Sequence, residues 1–172
     1  MGHGTLASQE LTALLQGAGI ASVVDIRTAP GSRRHPHFGR DELARWLPEA
    51  GIAYRWERRL GGFRHATPDS PHTALRHPSF RGYADHMGTI EFADALQGVL
   101  AEAVARPLTV MCSETLWWRC HRRLVADAVV LLHGVRVLHL GHDGRLSDHR
   151  PTEGVRVGDG TLIYDAGQAP LE

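Results

Sequence analysis

Short apolar runs alternate with longer stretches of helical periodicity along most of this chain. Residues 20–27 form a run rich in β-branched residues, and residues 52–56, 108–112 and 135–140 are three further candidate strands. Short runs of this kind are typical of buried strands. Because strands separated by helices pair in parallel, the alternation predicts an α/β fold, a three-layer α/β/α arrangement with a mostly parallel open sheet.

Four helices are predicted between these strands. The first three begin at the capping residues Ser8, Asp41 and Thr89, and each shows apolar side chains at helical spacing. The fourth is predicted over residues 116–133 and ends before Gly134, a residue typical of helix C-termini.

Two segments lack clear periodicity. Residues 28–40 and the Gly-, Pro- and His-rich residues 58–87 are predicted to be irregular, and a loop as long as the second is usually functional. Residues 155–157 and 161–164 flank a Gly-Asp-Gly turn and predict a terminal β-hairpin. The length of 172 residues predicts one domain, 1–172.

Lysine is absent, since all 19 basic residues other than histidine are arginine. This excludes Schiff-base and pyridoxal-phosphate catalysis, a phosphate-binding P-loop lysine and a lysine general base. Zero net charge argues against a protein that coats nucleic acid non-specifically. Residues 27–64 nevertheless contain nine arginines and four acidic residues, which is typical either of a phosphate-binding surface or of a solvated face.

The chain has two cysteines, too few for a disulfide scaffold and spaced unlike common zinc motifs. No stretch resembles a signal peptide, and no apolar run is long enough to span a membrane. A cytoplasmic protein with no membrane partner and no cofactor is therefore expected. Its oligomeric state is not indicated.

The loop after the strand at 108–112 has the strongest functional signal. It reads Cys112-Ser113-Glu114 and continues to Arg119-Cys120-His121-Arg122. A thiol at a strand end before a helix lies where ligands bind in open parallel sheets, and where a helix N-terminus favours an anion. Projection from the apolar stripe of the predicted helix places His121 toward the sheet. The alternative is a hydrogen-bonded core histidine beside an inert buried cysteine.

The loop after residue 27 adds positive charge to the same edge. Arg27 and Arg33 are expected to reach the crevice, where guanidinium groups suit carboxylate or phosphate. Asp25, near the end of the same strand, is expected to pair with an arginine or to act as an acid–base group. The nearby His35 and His37 are a weak metal signal and more typical of a solvated loop.

These segments together resemble the bacterial and archaeal family called domain of unknown function 488. The matching stretches, over about residues 1–140, are Gly2-His3-Gly4, Val24-Asp25-Ile26-Arg27 with Pro30 and Ser32-Arg33, Phe38, Leu60-Gly61-Gly62, Phe80-Arg81-Gly82-Tyr83-Ala84, Met111-Cys112-Ser113-Glu114 and Trp118-Arg119-Cys120-His121-Arg122. The resemblance implies a three-layer α/β domain and no established activity.

The sequence differs from the family pattern in two respects. Relatives usually begin with a short apolar strand immediately before the Gly-His element, whereas here Met1 directly precedes Gly2, so the sequence leaves open whether the sheet has this first strand. Residues 141–172, including the hairpin, form an extension beyond the family-like core 1–140.

Three functions compete. The first is an enzyme or ligand-binding protein for a small anionic or nucleotide-like molecule, with Cys112, Glu114 and His121 as catalytic residues. The residues expected to bind the anion are His3, Asp25, Arg27, Ser32, Arg33, Tyr83, Arg119, Cys120 and Arg122. The second is a nucleic-acid-binding module that uses the arginine-rich loop 33–40. The third is a metal site built from His3, Cys112 and His121, although no metal is expected from the motifs.

Overall fold

Helices and strands interleave along the chain, which confirms the α/β class. The computed structural model describes residues 1–31 and 33–166. Its helices are α1 (Ser8–Gly17), α2 (Arg40–Glu49), α3 (Pro78–Met87), α4 (Ile90–Ala105) and α5 (Arg122–His133). Its strands are β1 (Ser22–Asp25), β2 (Ala53–Trp56), β3 (Leu108–Met111), β4 (Leu138–Leu140), β5 (Leu146–Asp148), β6 (Val155–Gly158) and β7 (Thr161–Tyr164).

The strand β1 lies at the centre of a three-stranded parallel sheet of order β2-β1-β3. The register places Asp25 opposite Trp56 of β2 and Met111 of β3, so the three strands end level with one another. Their carboxyl ends form one edge, where open parallel sheets bind ligands. Before α1, the described residues show only a one-residue parallel bridge, between Gly2 and Cys112, in place of a full strand.

Two apolar clusters flank β1 because successive side chains of a strand point to opposite faces. Val23 belongs to a cluster with leucines of α1 and α2, including Leu11 and Leu43. Val24 belongs to a second cluster with side chains of α3, α4 and α5. Each fully buried leucine contributes about 1.5–3 kcal/mol by leaving water, so these clusters fix the helices against the sheet.

The strand predicted at residues 135–140 is shorter and pairs elsewhere. β4 pairs antiparallel with β5, with His139 opposite Ser147. Gly144, with a φ of +79°, lies in the tight turn that returns β5 onto β4. The expectation that this segment extends the parallel sheet is therefore wrong.

The helix predicted from residue 116 begins only at Arg122. Residues 117–119 form a 3-10 turn, and the ring of Trp117 stacks on His139 at 3.9 Å, which ties this turn to β4. The segment predicted to be irregular, 58–87, contains α3, whose buried side chains pack in the second cluster.

The predicted starts of the first three helices are confirmed to within two residues. Thr89 caps α4, because its hydroxyl accepts a hydrogen bond from the Phe92 amide at 3.3 Å. Ser8 and Asp41 instead lie inside the first turns of α1 and α2, whose capping residues are Ala7 and Gly39.

The predicted terminal hairpin is confirmed as β6–β7. Asp159 and Gly160 connect the strands with φ angles of 51° and 75°, as a type I′ turn requires. Leu162 and Tyr164 of β7 are buried in the cluster that contains α3, α4 and α5.

A buried polar chain links α5 to the segments that follow it. Asp127, fully buried in α5, accepts hydrogen bonds from His149 Nε2 at 2.7 Å, the Thr152 amide at 2.9 Å and the Tyr164 hydroxyl at 3.0 Å. His149 Nδ1 lies 2.9 Å from His139 Nε2. One carboxylate therefore satisfies three donors from separate parts of the C-terminal region.

Stability should fall in acid because of His139. Burial, together with the nearby His149, lowers the pKa of His139 to about 3. The unfolded chain takes up this proton as the pH falls through about 6.5 while the folded protein does not, so stability is complete above that pH and decreases below it, by about 1.4 kcal/mol per pH unit.

Urea unfolding at several pH values between neutral and mildly acidic checks this expectation. The variant His139→Gln should show a shallower decrease than the wild type. The same substitution at His133, exposed at the end of α5, controls for the loss of an imidazole. Equal slopes for the wild type and His139→Gln would contradict the expectation.

Among the described residues, no helix is both long enough and apolar enough to cross a lipid bilayer.

Candidate functional site

A cleft of about 810 Å³ opens at the carboxyl edge of the parallel sheet. The loops that follow β1, β2 and β3 all contribute to its walls, as expected for an open sheet. Its volume is in the range typical of small-molecule sites. The charged or reactive side chains among its lining residues are His3, Arg27, Arg34, His35, His77, Cys112, Glu114, Arg119, Cys120 and His121.

Two thiols and one imidazole meet at the floor of this cleft. The sulfur atoms of Cys112 and Cys120 and a ring nitrogen of His121 all lie within 4.8 Å of one another. Cys112 directly follows β3, and Cys120 and His121 directly precede α5, so the end of the strand and the start of the helix bring them together. All three residues are buried, with exposed fractions of 8 %, 4 % and 8 %.

The ring of His121 is fixed on both sides. Its Nε2 donates to the backbone carbonyl of Ile26 at 3.2 Å, so in the neutral ring Nδ1 keeps its lone pair, 3.5 Å from the Cys120 sulfur. The backbone of Gly62 packs on one side of the ring, and the Tyr83 ring lies 5.0 Å away, centre to centre.

Replacing Gly62 with alanine should displace His121. A Cβ at residue 62 would lie 2.4 Å from Nδ1 of His121, far inside normal contact. We expect the unfolding free energy to decrease by about 1–3 kcal/mol, as for other overpacked sites, and the His121 ring signals to shift in NMR spectra.

The control for this substitution is Gly98→Ala on the exposed side of α4, where nothing lies within 4 Å of the added Cβ. There alanine should stabilise the helix by up to about 1 kcal/mol. Unshifted His121 signals in Gly62→Ala would show that the ring is not packed on this glycine.

The two thiols are unequal. The Cys112 thiol, acting as hydrogen-bond donor, lowers the pKa of Cys120, and Arg122, whose Nε donates to the Cys120 sulfur at 3.3 Å, lowers it further. The same interaction with Cys120, followed by burial, raises the pKa of Cys112. The sequence favours Cys112 as the thiolate, whereas these contacts favour Cys120.

Asp25 and Arg27 form a buried ion pair beside the cleft. The guanidinium donates to both Asp25 oxygens, at 2.8 and 2.6 Å, and to the Phe38 carbonyl at 2.9 Å. Asp25 also accepts from the Tyr54 hydroxyl at 2.9 Å and does not line the cleft. Of the two roles expected for Asp25, pairing with an arginine is confirmed.

His3 completes this network as a neutral side chain. Its Nε2 accepts from Nη1 of Arg27 at 3.2 Å, so Nδ1 donates to the Gly4 carbonyl at 2.9 Å. Burial, then the positive charge of Arg27, lowers the pKa of His3 to about 4. The ring stacks on Phe38, with centres 3.9 Å apart.

The mouth of the cleft is exposed and mostly cationic. Arg34 and Arg119 are exposed there, and Glu114 is the one carboxylate among the described lining residues. One oxygen of Glu114 accepts from the Leu116 amide at 3.1 Å. Phe63, with 84 % of its surface exposed, and Phe80 add aromatic faces.

Besides Asp25, three of the expected site residues that the structure describes, Arg122, Tyr83 and Arg33, do not line the open cleft. Arg122 is buried beneath it, where its guanidinium contacts Cys120 and the Glu114 carbonyl. Tyr83 lies behind His121 and donates to the Leu60 carbonyl at 2.9 Å. Arg33 is exposed and does not line the cleft, and Ser32 falls outside the described residues.

The sequence did not single out Arg34, Phe63 or Ser79 as site residues, although they line the cleft. Arg34 is adjacent to Arg33, and only the fold of the loop distinguishes the two. Phe63 follows the paired glycines 61 and 62, whose close backbone approach to other groups was the available signal.

Comparison with known proteins agrees with the resemblance found in the sequence. The family model for domain of unknown function DUF488 matches residues 7–129, more than half of the chain. No curated protein and no solved structure matches significantly. The match spans the loops that contribute Arg27, Gly62, Cys112 and His121 to the cleft. The chain therefore belongs to the DUF488 family.

Proposed function

We propose that this protein is an enzyme that binds a small anionic substrate, of the size of a phosphate ester or nucleotide, in the cleft at the carboxyl edge of the sheet. The observation that supports this most is the convergence, in one cleft of about 810 Å³, of Cys112, Cys120 and His121 with three arginines.

The charge of the lining residues favours an anion. Arg34 and Arg119 are exposed at the mouth, whereas Glu114 is the one carboxylate among the described lining residues. Arg27 also lines the cleft, but its charge is paired with that of Asp25. Guanidinium groups bind phosphate or carboxylate through paired hydrogen bonds, and within a partly enclosed cleft these charge-assisted bonds are strong. A planar part of the substrate would contact the exposed ring of Phe63 or the nearby Phe80.

The floor of the cleft supplies the chemistry. Cys112, Cys120 and His121 lie beneath the position where the arginines would bind the anion, and Glu114 is available at the mouth for proton transfer. Asp25 and Tyr83 act as positioning residues, because Asp25 orients Arg27 and Tyr83 packs against His121.

Calorimetric titration with inorganic phosphate and with a nucleoside monophosphate tests anion binding. Each of Arg34→Gln and Arg119→Gln should weaken binding by about tenfold, the equivalent of one charge-assisted hydrogen bond. The control is Arg145→Gln, because Arg145 is exposed and outside the cleft.

Binding that is absent, or that is unchanged in both cleft variants, would refute the proposal. The competing nucleic-acid function predicts a different result. A single-stranded oligonucleotide would then bind with an affinity that falls steeply with salt, and substitutions at Cys112 or Cys120 would leave that affinity unchanged.

A further inference from the structure

We propose that Cys112, Cys120 and His121 bind a zinc ion whose fourth coordination position opens on the cleft. The inference deepens the proposed function, on which it rests, by giving the reacting centre a chemical identity. Its basis is the position of three potential ligand atoms, all within 4.8 Å of one another and all buried.

The spacing of the ligand atoms fits a tetrahedral zinc ion. Zinc lies about 2.3 Å from cysteine sulfur and about 2.0–2.1 Å from histidine nitrogen, which places the two ligand atoms about 3.5 Å apart at a tetrahedral angle. The Cys120 sulfur and Nδ1 of His121 are 3.5 Å apart. The Cys112 sulfur lies within 4.8 Å of both atoms, so a small rotation of its side chain completes the set.

The groups around the cluster orient these ligands as they do in zinc proteins. A histidine that binds zinc usually donates its other ring N–H to a carbonyl or carboxylate. His121 does this with the Ile26 carbonyl, which leaves Nδ1 for a metal. Arg122 Nε donates to the Cys120 sulfur, a contact that stabilises a thiolate ligand.

Backbone contacts fix the third ligand. The Cys112 amide donates to the Met1 carbonyl at 3.3 Å, and the Cys112 carbonyl accepts from the His3 amide at 2.9 Å. Cys112 therefore sits between β1 and the N-terminal residues, with its backbone fixed on the edge of the sheet. His3 itself does not join the ligand set, because its Nε2 accepts from Arg27.

The number of ligands indicates a reactive site. Structural zinc sites use four protein ligands, whereas catalytic sites use three and leave one position for water or substrate. Within residues 1–31 and 33–166, no further His, Cys, Asp or Glu belongs to this cluster. Two thiolates balance the charge of the ion, and the open position faces the cationic cleft, so an anionic oxygen of the substrate could bind there.

Metal analysis of protein produced without a histidine tag and reconstituted with zinc is the first test. We expect one zinc per chain, lost in the double variant Cys112→Ala/Cys120→Ala and in His121→Gln. The matched control His65→Gln replaces an exposed histidine and should retain the ion. Circular dichroism establishes that each variant is folded.

Wild-type measurements keep the proposal testable if those variants fail to fold. Cobalt substituted for zinc should show a thiolate-to-metal charge-transfer band and the intense visible bands of a tetrahedral site. Because the chain has only two cysteines, zinc should protect both from a thiol reagent, and a chelator should expose both.

Folded wild-type protein that retains no zinc and shows no cobalt–thiolate band would overturn the proposal, as would zinc that persists in the double cysteine variant. The zinc site and the proposed anion-binding function can each fail without the other. Phosphate binding that still depends on Arg34 and Arg119 in zinc-free protein would keep the anion site and remove only the metal. Zinc binding without any anion binding would keep the metal site and refute the proposed anion site.

Discussion

Replacing Asp127 with alanine is expected to lower the unfolding free energy by about 3–5 kcal/mol, because two buried donors and one half-buried donor lose their acceptor and each unsatisfied buried donor costs about 1–3 kcal/mol. The donors are His149 Nε2, the Thr152 amide and the Tyr164 hydroxyl. Since they belong to the region after α5, we expect this region to loosen first. Urea denaturation gives the free energy, and hydrogen exchange locates the loosening.

Asp94→Ala is the matched control for this substitution. Asp94 is exposed on α4, and its loss should change the unfolding free energy by less than about 0.5 kcal/mol. If the unfolding free energy of Asp127→Ala decreased as little as that of the control, the buried polar chain would not anchor the C-terminal region.

Asp25→Ala should be similarly costly, by about 3–5 kcal/mol, because it leaves the buried guanidinium of Arg27 without its counter-charge. The ion pair is short, at 2.6 Å, and almost fully buried. The same substitution should weaken phosphate binding, since Arg27 loses the contacts that orient it toward the cleft. Denaturant unfolding and calorimetric titration measure the two effects.

An exposed pair supplies the control. Asp41→Ala removes the partner of Arg40 at the protein surface and should cost no more than about 1 kcal/mol. If Asp25→Ala lowered the unfolding free energy as little as Asp41→Ala does, Arg27 would not depend on Asp25 for its position. The proposed role of Asp25 would then be wrong.

The parallel core of the fold could be predicted from local pattern alone. The β-branched run before Asp25, the strand before Cys112 and the turn at Asp159-Gly160 each specify their structure through nearby residues. The start of α5 could not be predicted, because Trp117 stacks on His139, which is more than twenty residues away. The pairing of β4 depends on β5, a three-residue strand with no clear periodicity.

The candidate site could likewise be predicted from the sequence only in part. Ligands bind at the carboxyl ends of parallel strands, and this rule was sufficient to predict that Cys112, His121 and Arg27 lie at one edge of the sheet. It could not give the direction of each side chain. Arg122 turns inward, where its guanidinium contacts the Cys120 sulfur and the Glu114 carbonyl, and Arg34 rather than Arg33 lines the cleft. These directions depend on tertiary contacts, which a local sequence pattern does not encode.

The rates at which iodoacetate and iodoacetamide alkylate the protein show whether the thiols and the arginines act in one cleft. The measurement uses chelator-treated protein, so that no metal protects the thiols. We expect the ratio of the iodoacetate rate to the iodoacetamide rate to be higher for this protein than for a small free thiol, because the arginines attract the anionic reagent. Inorganic phosphate should suppress this preference, and Arg34→Gln/Arg119→Gln should abolish it. A rate ratio equal to that of the free thiol, unaffected by phosphate or by these substitutions, would show that the thiols and the arginines do not act in one cleft.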